Sequence, residues 1–415
     1  MSMTTTTAAN ATGSSLPPTA PASARAVFAM LRRLQIGLLD VQLFDGTQLQ
    51  FGKVREGEPR AAIRILDWRV CAAVLKSGDI GFAEAYIDGH WTTPDLVALL
   101  RLLLANRDAI EDVVYGSWWG SLLYRIKHLL NRNSRQGSRK NIHAHYDIGN
   151  AFYRLWLDET MNYSSALFEG DPTQAMPQAQ AAKVRRALRE CQLQPGQRLL
   201  ELGCGWGALA ETAADEFGLR VLGVTLSSEQ LAFGQQRLRD RGLHDRAELR
   251  LQDYRELSSH QDGPFDAIAS IEMFEAVGRA YWSDYFAGVH RLLVPGGRAC
   301  IQTITIRDDL FERYAKSTDF IQQYIFPGGM LPSAEVFRAE AARAGLEVVN
   351  ELAFGADYAE TLRRWRVMFL ARDREVRQLG FDTRFMHTWE YYLAVCEAAF
   401  AAGNTSVVQF TLRRP

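Results

Sequence analysis

The sequence lacks several features that would assign it to large classes of proteins. Its 415 residues contain no apolar stretch long enough to span a bilayer, and its N-terminal segment has neither the basic start nor the apolar run of a signal peptide. The five cysteines are scattered and form no C-x-x-C motif, which favours a reducing cytoplasm over secretion. The net charge of −1 gives no basic excess, so a general nucleic-acid binder is disfavoured.

The composition is that of a globular protein with room for two domains. Apolar residues make up 47% of the sequence and charged residues 23%. We predict a disordered tail over residues 1–23, a smaller N-terminal α+β domain over 24–112, a basic linker over 113–142 and a larger α/β domain over 143–415.

The N-terminal domain combines helical and strand patterns. Apolar spacing predicts a helix over 24–34, and the alternation in "VQLFDGTQLQFG" predicts a hairpin that turns at Asp45-Gly46. "AAIRIL" is a further strand. "TTPDLVALLRLLLANRD" predicts a helix with Thr93 as its N-cap and Pro94 at its first position.

The linker is the one strongly basic segment. Between Asp112 and Asp147 there are six Lys or Arg residues and no acid, and Trp118 and Trp119 open an apolar run. An interfacial membrane helix has this composition. An interdomain helix with a solvated basic face has it too, and the pattern leaves both interpretations open.

Strands and helices alternate from about residue 197 onward. The predicted strands are "RLLEL", "RVLGV", "AELRL", "FDAIASI", "RACIQTI", "LEVVNEL" and "SVVQFTLRRP". Most of the intervening segments suit helices, which indicates βαβ units around a mostly parallel sheet.

A glycine-rich loop follows the first of these strands. In "LLELGCGWGALA", Gly203, Gly205 and Gly207 occupy alternate positions around Cys204, and Glu201 precedes them. Glycines here allow a tight turn and a close approach of the backbone to a ligand at the start of a helix. The G-x-G-x-G spacing after an acid is typical of S-adenosylmethionine (SAM) methyltransferases, although a plain strand–turn–helix can also have it.

Polar residues also follow the next two strands. Thr225, Ser227 and Gln230 could bind ribose hydroxyls, whereas Ser227 and Gln230 also match the S-x-x-Q capping box, which needs no ligand. Asp253 and Tyr254 follow the third strand and could bind adenine by a hydrogen bond and by stacking.

Further motifs resemble one family closely. They are "HYDIGNAFYRLWLDETMNYSSALF", "ELGCGWG", "GVTLSSEQ", "QDYREL", "MFEAVG", "YIFPGGMLPS", "FGADYAETLRRW" and "YYLAVCEAAF". Together they resemble the cyclopropane fatty acid synthases and mycolic acid methyltransferases, from about residue 25 to the end. The resemblance implies a Rossmann-like, seven-stranded, mostly parallel sheet with helices on both faces, and the smaller N-terminal domain. It also implies methyl transfer from SAM to the cis double bond of a phospholipid acyl chain.

This chemistry requires a water-free pocket that stabilises a carbocation and contains a base. Seven aromatic residues are candidates for the pocket, although core packing is the simpler explanation for any one of them. They are Tyr163, Phe168, Phe274, Tyr324, Phe354, Tyr358 and Trp365.

In the family the base is thought to be a bicarbonate held by a polar cluster. The resemblance assigns Glu275 and Tyr358 to this cluster, together with the backbone of Ile304. Two cluster positions depart from the family, because Ser165 replaces a cysteine and Gln302 replaces a histidine. Both can hydrogen-bond, so whether bicarbonate binds is left open, and we predict that Glu275 handles the proton.

The remaining site assignments concern the cofactor site and one cysteine. Tyr163 and Ser164 resemble residues that contact the methionine portion of SAM, and Ile271 is included in the cofactor site. Cys396 matches a cysteine proposed as catalytic in the family, but an apolar helical pattern favours a structural role. Glu272 is expected to cap or hydrogen-bond only locally.

The expected partners are a phospholipid with an unsaturated acyl chain and the inner membrane surface, where a cytoplasmic protein would bind peripherally. A cyclopropane ring is the expected product, with a methylene- or methyl-branched chain as the alternative. A non-catalytic SAM- or lipid-binding homologue is the alternative from another class. No metal site is predicted, because His143 and His145 lack a third ligand at a recognisable spacing. The oligomeric state is left open, with a homodimer as one alternative.

Overall fold

The computed structural model of the protein describes residues 16–110 and 148–415. These residues form two compact units, of which the first comprises the residues up to 110 together with His387–Tyr391, and the second comprises the rest. The predicted basic linker over 113–142, the pair His143 and His145 and most of the predicted tail lie outside the described residues. Among the described helices, none is both long enough and apolar enough to cross a membrane.

The smaller unit contains a four-stranded sheet and three helices, which confirms the predicted α+β class. The strands lie in the order β2-β1-β3-β4 and are β1 Leu38–Leu43, β2 Gln48–Gly52, β3 Arg60–Ile65 and β4 Trp91–Thr92. The helices are α1 Ala22–Leu31, α2 Arg69–Ile87 and α3 Leu96–Ala105. The hairpin predicted at Asp45-Gly46 joins β1 to β2. Because α1 begins at Ala22 and Ala20 is already buried, the prediction of a disordered tail is wrong for residues 20–23.

The start of α3 differs from the prediction. The N-cap is Asp95, whose carboxylate accepts a hydrogen bond from the Ala98 amide at 2.9 Å. Thr93 was predicted to cap this helix, but its hydroxyl donates to the carbonyl of Ala62 at 2.6 Å. Pro94 therefore precedes the helix, since the next residue, Asp95, is the cap and satisfies the free amide of Ala98.

The larger unit is built on a seven-stranded sheet in the order β10-β11-β9-β8-β5-β6-β7. Its strands are β5 Arg198–Leu202, β6 Arg220–Thr225, β7 Ala247–Leu251, β8 Phe265–Ile271, β9 Leu293–Ile306, β10 Glu347–Ala353 and β11 Thr405–Arg413. β11 pairs antiparallel with both β9 and β10, and the other pairs are parallel. All seven predicted strands are confirmed.

Helices cover both faces of this sheet, as expected for a Rossmann-like fold. They are α4 Asn150–Tyr153, α5 Met176–Glu190, α6 Ala208–Asp215, α7 Ser228–Asp240, α8 Trp282–Leu292, α9 Asp308–Tyr314, α10 Phe320–Tyr324, α11 Ala334–Arg343, α12 Gly355–Ala371, α13 Asp373–Gln378 and α14 Thr383–Ala401. Consecutive strand residues enter different hydrophobic cores: Leu199 packs with the core that contains Val184, and Leu200 with the core that contains Phe286. Because side chains alternate across a strand, the sheet is buried on both faces.

Candidate functional site

A cavity of about 400 Å³ opens at the carboxyl ends of the central strands of the larger unit. Open α/β sheets bind ligands at this edge. Fourteen predicted site residues line it: Tyr163, Ser164, Glu201, Gly203, Cys204, Gly205, Thr225, Gln230, Tyr254, Ile271, Glu275, Ile304, Tyr358 and Cys396. Five others contact or adjoin lining residues from behind: Ser165, Gly207, Ser227, Asp253 and Gln302.

The glycine loop after β5 forms one end of the cavity. Gly203, Gly205 and Gly207 have φ values of 79°, 50° and 82°. A side chain at Gly205 would meet no atom within 4 Å, whereas a Cβ at Gly207 would come within 3.2 Å of Gly234. Glycine at the first of these two positions leaves space for a ligand, and at the second it allows α6 and α7 to pack closely.

A buried carboxylate lies beside this loop. Glu201 is only 4% exposed, and burial raises its pKa to about 8. Its Oε2 atom has no hydrogen-bond partner among the described residues. A buried polar atom is normally paired, and a donor on a ligand in the cavity would satisfy this one. The open space at Gly205 and the unpaired oxygen of Glu201 therefore suit SAM, which carries an ammonium group.

The loop after β6 forms only half of the predicted capping box. The Ser227 hydroxyl caps α7 by accepting from the Gln230 amide at 3.3 Å. The Gln230 side chain does not reach back to the Ser227 amide, because the Thr225 hydroxyl donates to Gln230 Oε1 at 3.1 Å and accepts from the Ser227 amide at 3.2 Å. The reciprocal box was therefore wrong, and Thr225 and Gln230 line the cavity as a bonded pair.

The segment after β7 lines the cavity through Gln252, Tyr254 and Arg255. Asp253 is 1% exposed, and its two oxygens accept from Nε and Nη2 of Arg255 at 2.9 and 2.6 Å. Asp253 thus positions Arg255 at the cavity wall, and its direct contact with adenine stays a prediction.

A buried lysine supports the cavity wall near Ser164. The Lys183 ammonium, on α5, is fully buried and donates to the Ser164 hydroxyl at 2.5 Å. Burial lowers the pKa of Lys183 to about 8, against the opposing attraction of Glu272, Asp158 and Glu201. Lys183 therefore provides a positive charge behind a wall that carries several acids.

Glu272, directly after β8, is the acidic residue at the centre of the predicted polar cluster. Its Oε1 accepts from the Ser165 amide at 2.9 Å and from Gln302 Nε2 at 2.7 Å, and its Oε2 accepts from the Tyr358 hydroxyl at 2.6 Å. The partners lie 107, 30 and 86 residues away in the chain, so the prediction of purely local bonding was wrong. The Ser165 hydroxyl donates to the carbonyl of Ala166, and the residue binds Glu272 through its backbone instead.

The backbone at Glu272 is strained, because its φ is 50°. The left-handed region costs about 1–2 kcal/mol for a residue other than glycine. Such strain persists where the surroundings hold it, and it is concentrated at functional sites. Here three hydrogen bonds hold the carboxylate, and the Glu272 amide also donates to the carbonyl of Gln302 at 2.8 Å.

Glu275, the predicted base, has fewer partners. The Ile304 amide donates to its Oε1, while its Oε2 is buried without a partner among the described residues. Burial and then the charge of Glu272 raise the pKa of Glu275 to about 8. Burial also raises the pKa of Glu272, but Tyr358 and Lys183 oppose that rise. Three donors and the charge of Lys183 favour the ionised form of Glu272, whereas Glu275 has one backbone donor and the charge of Glu272 opposes its ionisation. The geometry therefore favours Glu272 as the proton acceptor.

The cavity also contains the predicted cysteine and some of the predicted aromatic residues. Burial raises the pKa of the Cys396 thiol, which keeps it protonated and poorly nucleophilic. Of the seven aromatic candidates, Tyr163 and Tyr358 line the cavity, and the hydroxyl of Tyr163 lies 2.7 Å from that of Tyr392. Phe274 is instead a buried core residue. The lining aromatics that the sequence did not indicate are Trp206, Tyr314, Phe326, Tyr392 and Phe400.

Two buried polar residues behind the site were also missed. Lys183 follows Ala179 by four positions and precedes Ala187 by four, so helical spacing could have placed it on the buried face of α5. Gln409 lies in the otherwise apolar run of β11 and is fully buried. A polar residue in such a run is a signal that it has buried partners.

Comparisons with known proteins agree with this geometry. The family model described as mycolic acid cyclopropane synthetase matches residues 133–410. Tuberculostearic acid methyltransferase UfaA1 of Mycobacterium tuberculosis (strain ATCC 25618 / H37Rv) is 37% identical over 407 residues, covering 96% of this chain and 93% of that protein. Cyclopropane-fatty-acyl-phospholipid synthase of Escherichia coli (strain K12) is 34% identical over 363 residues, covering 86% and 89%. The crystal structure of mycolic acid cyclopropane synthase CmaA1 complexed with SAH and CTAB has a TM-score of 0.62 at 33% identity, covering 66% of this chain and 98% of that one.

These matches extend over both the glycine loop and the carboxylate cluster. They confirm the expected fold class, the SAM-dependent chemistry and the resemblance drawn from the motifs. The chain belongs to the mycolic acid cyclopropane synthetase family and is a SAM-dependent methyltransferase of lipids.

Proposed function

We propose that the protein methylates the cis double bond of an unsaturated acyl chain in a membrane phospholipid. The observation that carries this proposal is an anchored carboxylate, Glu272, in a cavity that is lined both by the glycine loop and by an apolar wall. Apolar residues of that wall are Ile321, Phe326, Met330, Leu331, Leu362, Val395, Ala399 and Phe400. An acyl chain needs such a wall, and an alkylated alkene needs a base beside it.

The residues around the glycine loop would hold the cofactor. When bound, SAM supplies an electrophilic methyl group. Glu201 offers its unpaired oxygen to a donor on the ligand, and the bonded pair of Thr225 and Gln230 offers polar atoms to ribose. Because an alkene is a weak nucleophile, the apolar wall must also hold the double bond close to the methyl group and exclude water.

Glu272 accepts the proton that the reaction releases. Addition of a methyl group to one alkene carbon uses the π electron pair and leaves the other carbon cationic. Loss of a proton from the added methyl group to the Glu272 carboxylate frees a C–H electron pair, which closes a cyclopropane ring on the cation. Tyr358 and Gln302 keep the carboxylate in position for this step.

A methylene branch is a second candidate product, and it needs the same base. If a hydride first moves from the methyl-bearing carbon to the cationic carbon, loss of a proton from the methyl group to Glu272 gives a C=CH2 group, which is the methylene branch. The similarity over 96% of the chain to a protein named as a tuberculostearic acid methyltransferase, and not as a cyclopropane synthase, favours this candidate.

The same donors argue against a bound bicarbonate. The resemblance implies that bicarbonate is held at this cluster, but the Ser165 amide, Gln302 and Tyr358 all donate to Glu272. An external anion would have to displace a carboxylate of the protein itself. We therefore propose that Glu272 replaces the bicarbonate.

The proposal is tested by incubating the protein with SAM and vesicles of an unsaturated phospholipid. The expected result is a mass gain of one CH2 per acyl chain, and proton NMR of the lipid then separates a ring from a methylene branch. Glu272→Gln is the matched control and should retain SAM binding without turnover. SAM binding without any mass gain would contradict the proposal and favour a non-catalytic homologue. Equal activity on small molecules without vesicles would favour another substrate class.

Peripheral binding to the membrane stays a prediction from the sequence of the linker. Neutralising Arg125, Lys127 and Arg132 should weaken co-sedimentation with anionic vesicles, because each basic side chain contributes to the attraction. Unchanged co-sedimentation would contradict this prediction.

A further inference from the structure

A chain of buried amides connects the carboxylate of Glu272 to an arginine outside the cavity. Gln302 donates to Glu272 from β9, and Gln409, its register partner on β11, donates from Nε2 to Gln302 Oε1 at 2.9 Å. Arg186, on α5, donates to Gln409 Oε1 at 2.5 Å. Gln302 and Gln409 are both fully buried, and neither they nor Arg186 line the cavity.

The hydrogen-bond partners at the arginine end of this chain determine the orientation of each side-chain amide. Arg186 can only donate, so it binds the oxygen of Gln409, and the carbonyl of Lys183 can only accept, so it binds Nε2 of Gln409 at 3.2 Å. Gln409 therefore presents its NH2 group to Gln302. Gln302 must then present its oxygen to Gln409 and its NH2 group to Glu272.

We propose that Gln409 and Arg186 are positioning residues that hold Gln302 as a hydrogen-bond donor to Glu272 and thereby maintain Glu272 as a carboxylate. A donor stabilises the ionised form of an acid, whereas an oxygen turned toward it would destabilise that form. The consequence for turnover rests on the proposed function, in which Glu272 is the base. The ionisation of Glu272 can be measured without turnover.

Other charged and titratable groups act on Glu272 and must stay constant in the test. Lys183 attracts it from α5, Glu275 repels it from the following turn, and Tyr358 donates to it from α12. Tyr163 and Cys396 influence Tyr358 in turn. The test therefore changes only β11, where Gln409→Glu adds one carboxyl group and the uncharged Gln409→Met separates the effect of that charge from the turning of Gln302.

The decisive variant is Gln409→Glu, which removes the NH2 group but retains an acceptor for Arg186. Gln302 should then turn its NH2 group toward position 409 and its oxygen toward Glu272. Infrared difference spectra of the full-length protein against Glu272→Gln, recorded as a function of pH, follow the carboxylic acid band of Glu272. We expect the titration midpoint to rise by about one to two pH units, which is roughly 10- to 100-fold in proton affinity.

The raised pKa of Glu272 should also appear in the pH dependence of turnover. A base acts only when it is ionised, so kcat/KM rises with pH through the pKa of Glu272, and a raised pKa moves that rise to higher pH. The KM for SAM should stay unchanged, which a general disturbance of the site would not allow. If the midpoint rises but the native protein methylates no lipid, the inference holds and the proposed function fails.

Two further variants keep the test decisive. Gln409→Met removes both hydrogen-bonding groups at this position and leaves Gln302 free to turn. It should therefore raise the titration midpoint of Glu272 by a smaller amount. If Gln409→Glu does not fold, the result for Gln409→Met tests the inference. Thr411→Val is the matched control, since Thr411 lies on the same strand and donates to Glu190, the ion-pair partner of Arg186, but not to either amide. An unshifted midpoint in the folded Gln409 variant, or an equal shift in Thr411→Val, would overturn the inference.

Discussion

Replacing Glu272 with glycine should open an anion site in the cavity wall. Glycine adopts a φ of 50° without the strain that glutamate bears there, so the local backbone should be retained. Without the side chain, the Ser165 amide, the Gln302 NH2 group and the Tyr358 hydroxyl would converge on open space. Donors arranged in this way bind small anions.

The structure sets the size of the expected effects. A positioned general base contributes about 10²- to 10⁴-fold to a rate, so turnover of Glu272→Gly should fall by at least ~100-fold. Each hydrogen bond to a charged group contributes about 1.5–3 kcal/mol, and the variant loses three. Relief of the backbone strain and of the desolvated charge offsets part of this loss, so we expect a net destabilisation on the order of 2–5 kcal/mol.

The assay is phospholipid methylation in buffer depleted of CO2, with and without added bicarbonate or formate. Added anion should restore turnover of Glu272→Gly saturably and raise its melting temperature, because the anion binds only the folded protein. Glu272→Gln is the matched control, since its amide fills the same space but cannot ionise; it should be inactive with or without anion. Full turnover of Glu272→Gly without anion, or equal recovery of Glu272→Gln, would refute the assignment of Glu272 as the base.

Three other substitutions test the remaining groups. Glu275→Gln should lower turnover by less than about tenfold, because burial and Glu272 already keep Glu275 protonated at neutral pH; a loss as large as that of Glu272→Gln in the same assay would contradict this. Lys183→Met removes a positive charge that stabilises ionised Glu272. The acidic limb of the pH–rate profile should therefore move to higher pH by about one unit, and an unchanged limb would show that the lysine is only structural. Gly205→Val should weaken SAM binding by at least about tenfold in calorimetry, since the side chain enters the cavity and a φ of 50° disfavours valine; native affinity would disprove the placement of the cofactor.

The framework of the site was predictable because its signals are local. Each strand is recognised from an alternating or continuous apolar run, and the glycine loop from the glycines that follow "RLLEL". These patterns lie within a few consecutive residues, and all seven strands lie where they were predicted. The cofactor end of the cavity follows from these elements, since parallel strands bring their carboxyl ends to one edge. Glu201, Thr225 and Gln230 meet there for this reason.

The carboxylate cluster was predicted with the wrong centre because its signals are not local. The partners of Glu272 come from distant segments, and its positive φ leaves no mark in the sequence. Ser165 was expected to act through its hydroxyl, but a backbone amide can serve whatever the side chain is. The reciprocal bond predicted for Gln230 failed for a related reason, since the neighbouring Thr225 hydroxyl bonds both Gln230 Oε1 and the Ser227 amide.

The position of β11 has a consequence for how the molecule is made. It is the last of the seven strands in the sequence, yet it lies between β9 and β10 in the sheet. While the chain emerges from the ribosome, β10 has no neighbour to pair with, and Gln302 lacks the amide that orients it until β11 arrives. Because a domain folds as a unit, the sheet and the base that it positions are completed only after the last strand in the sequence has been synthesised.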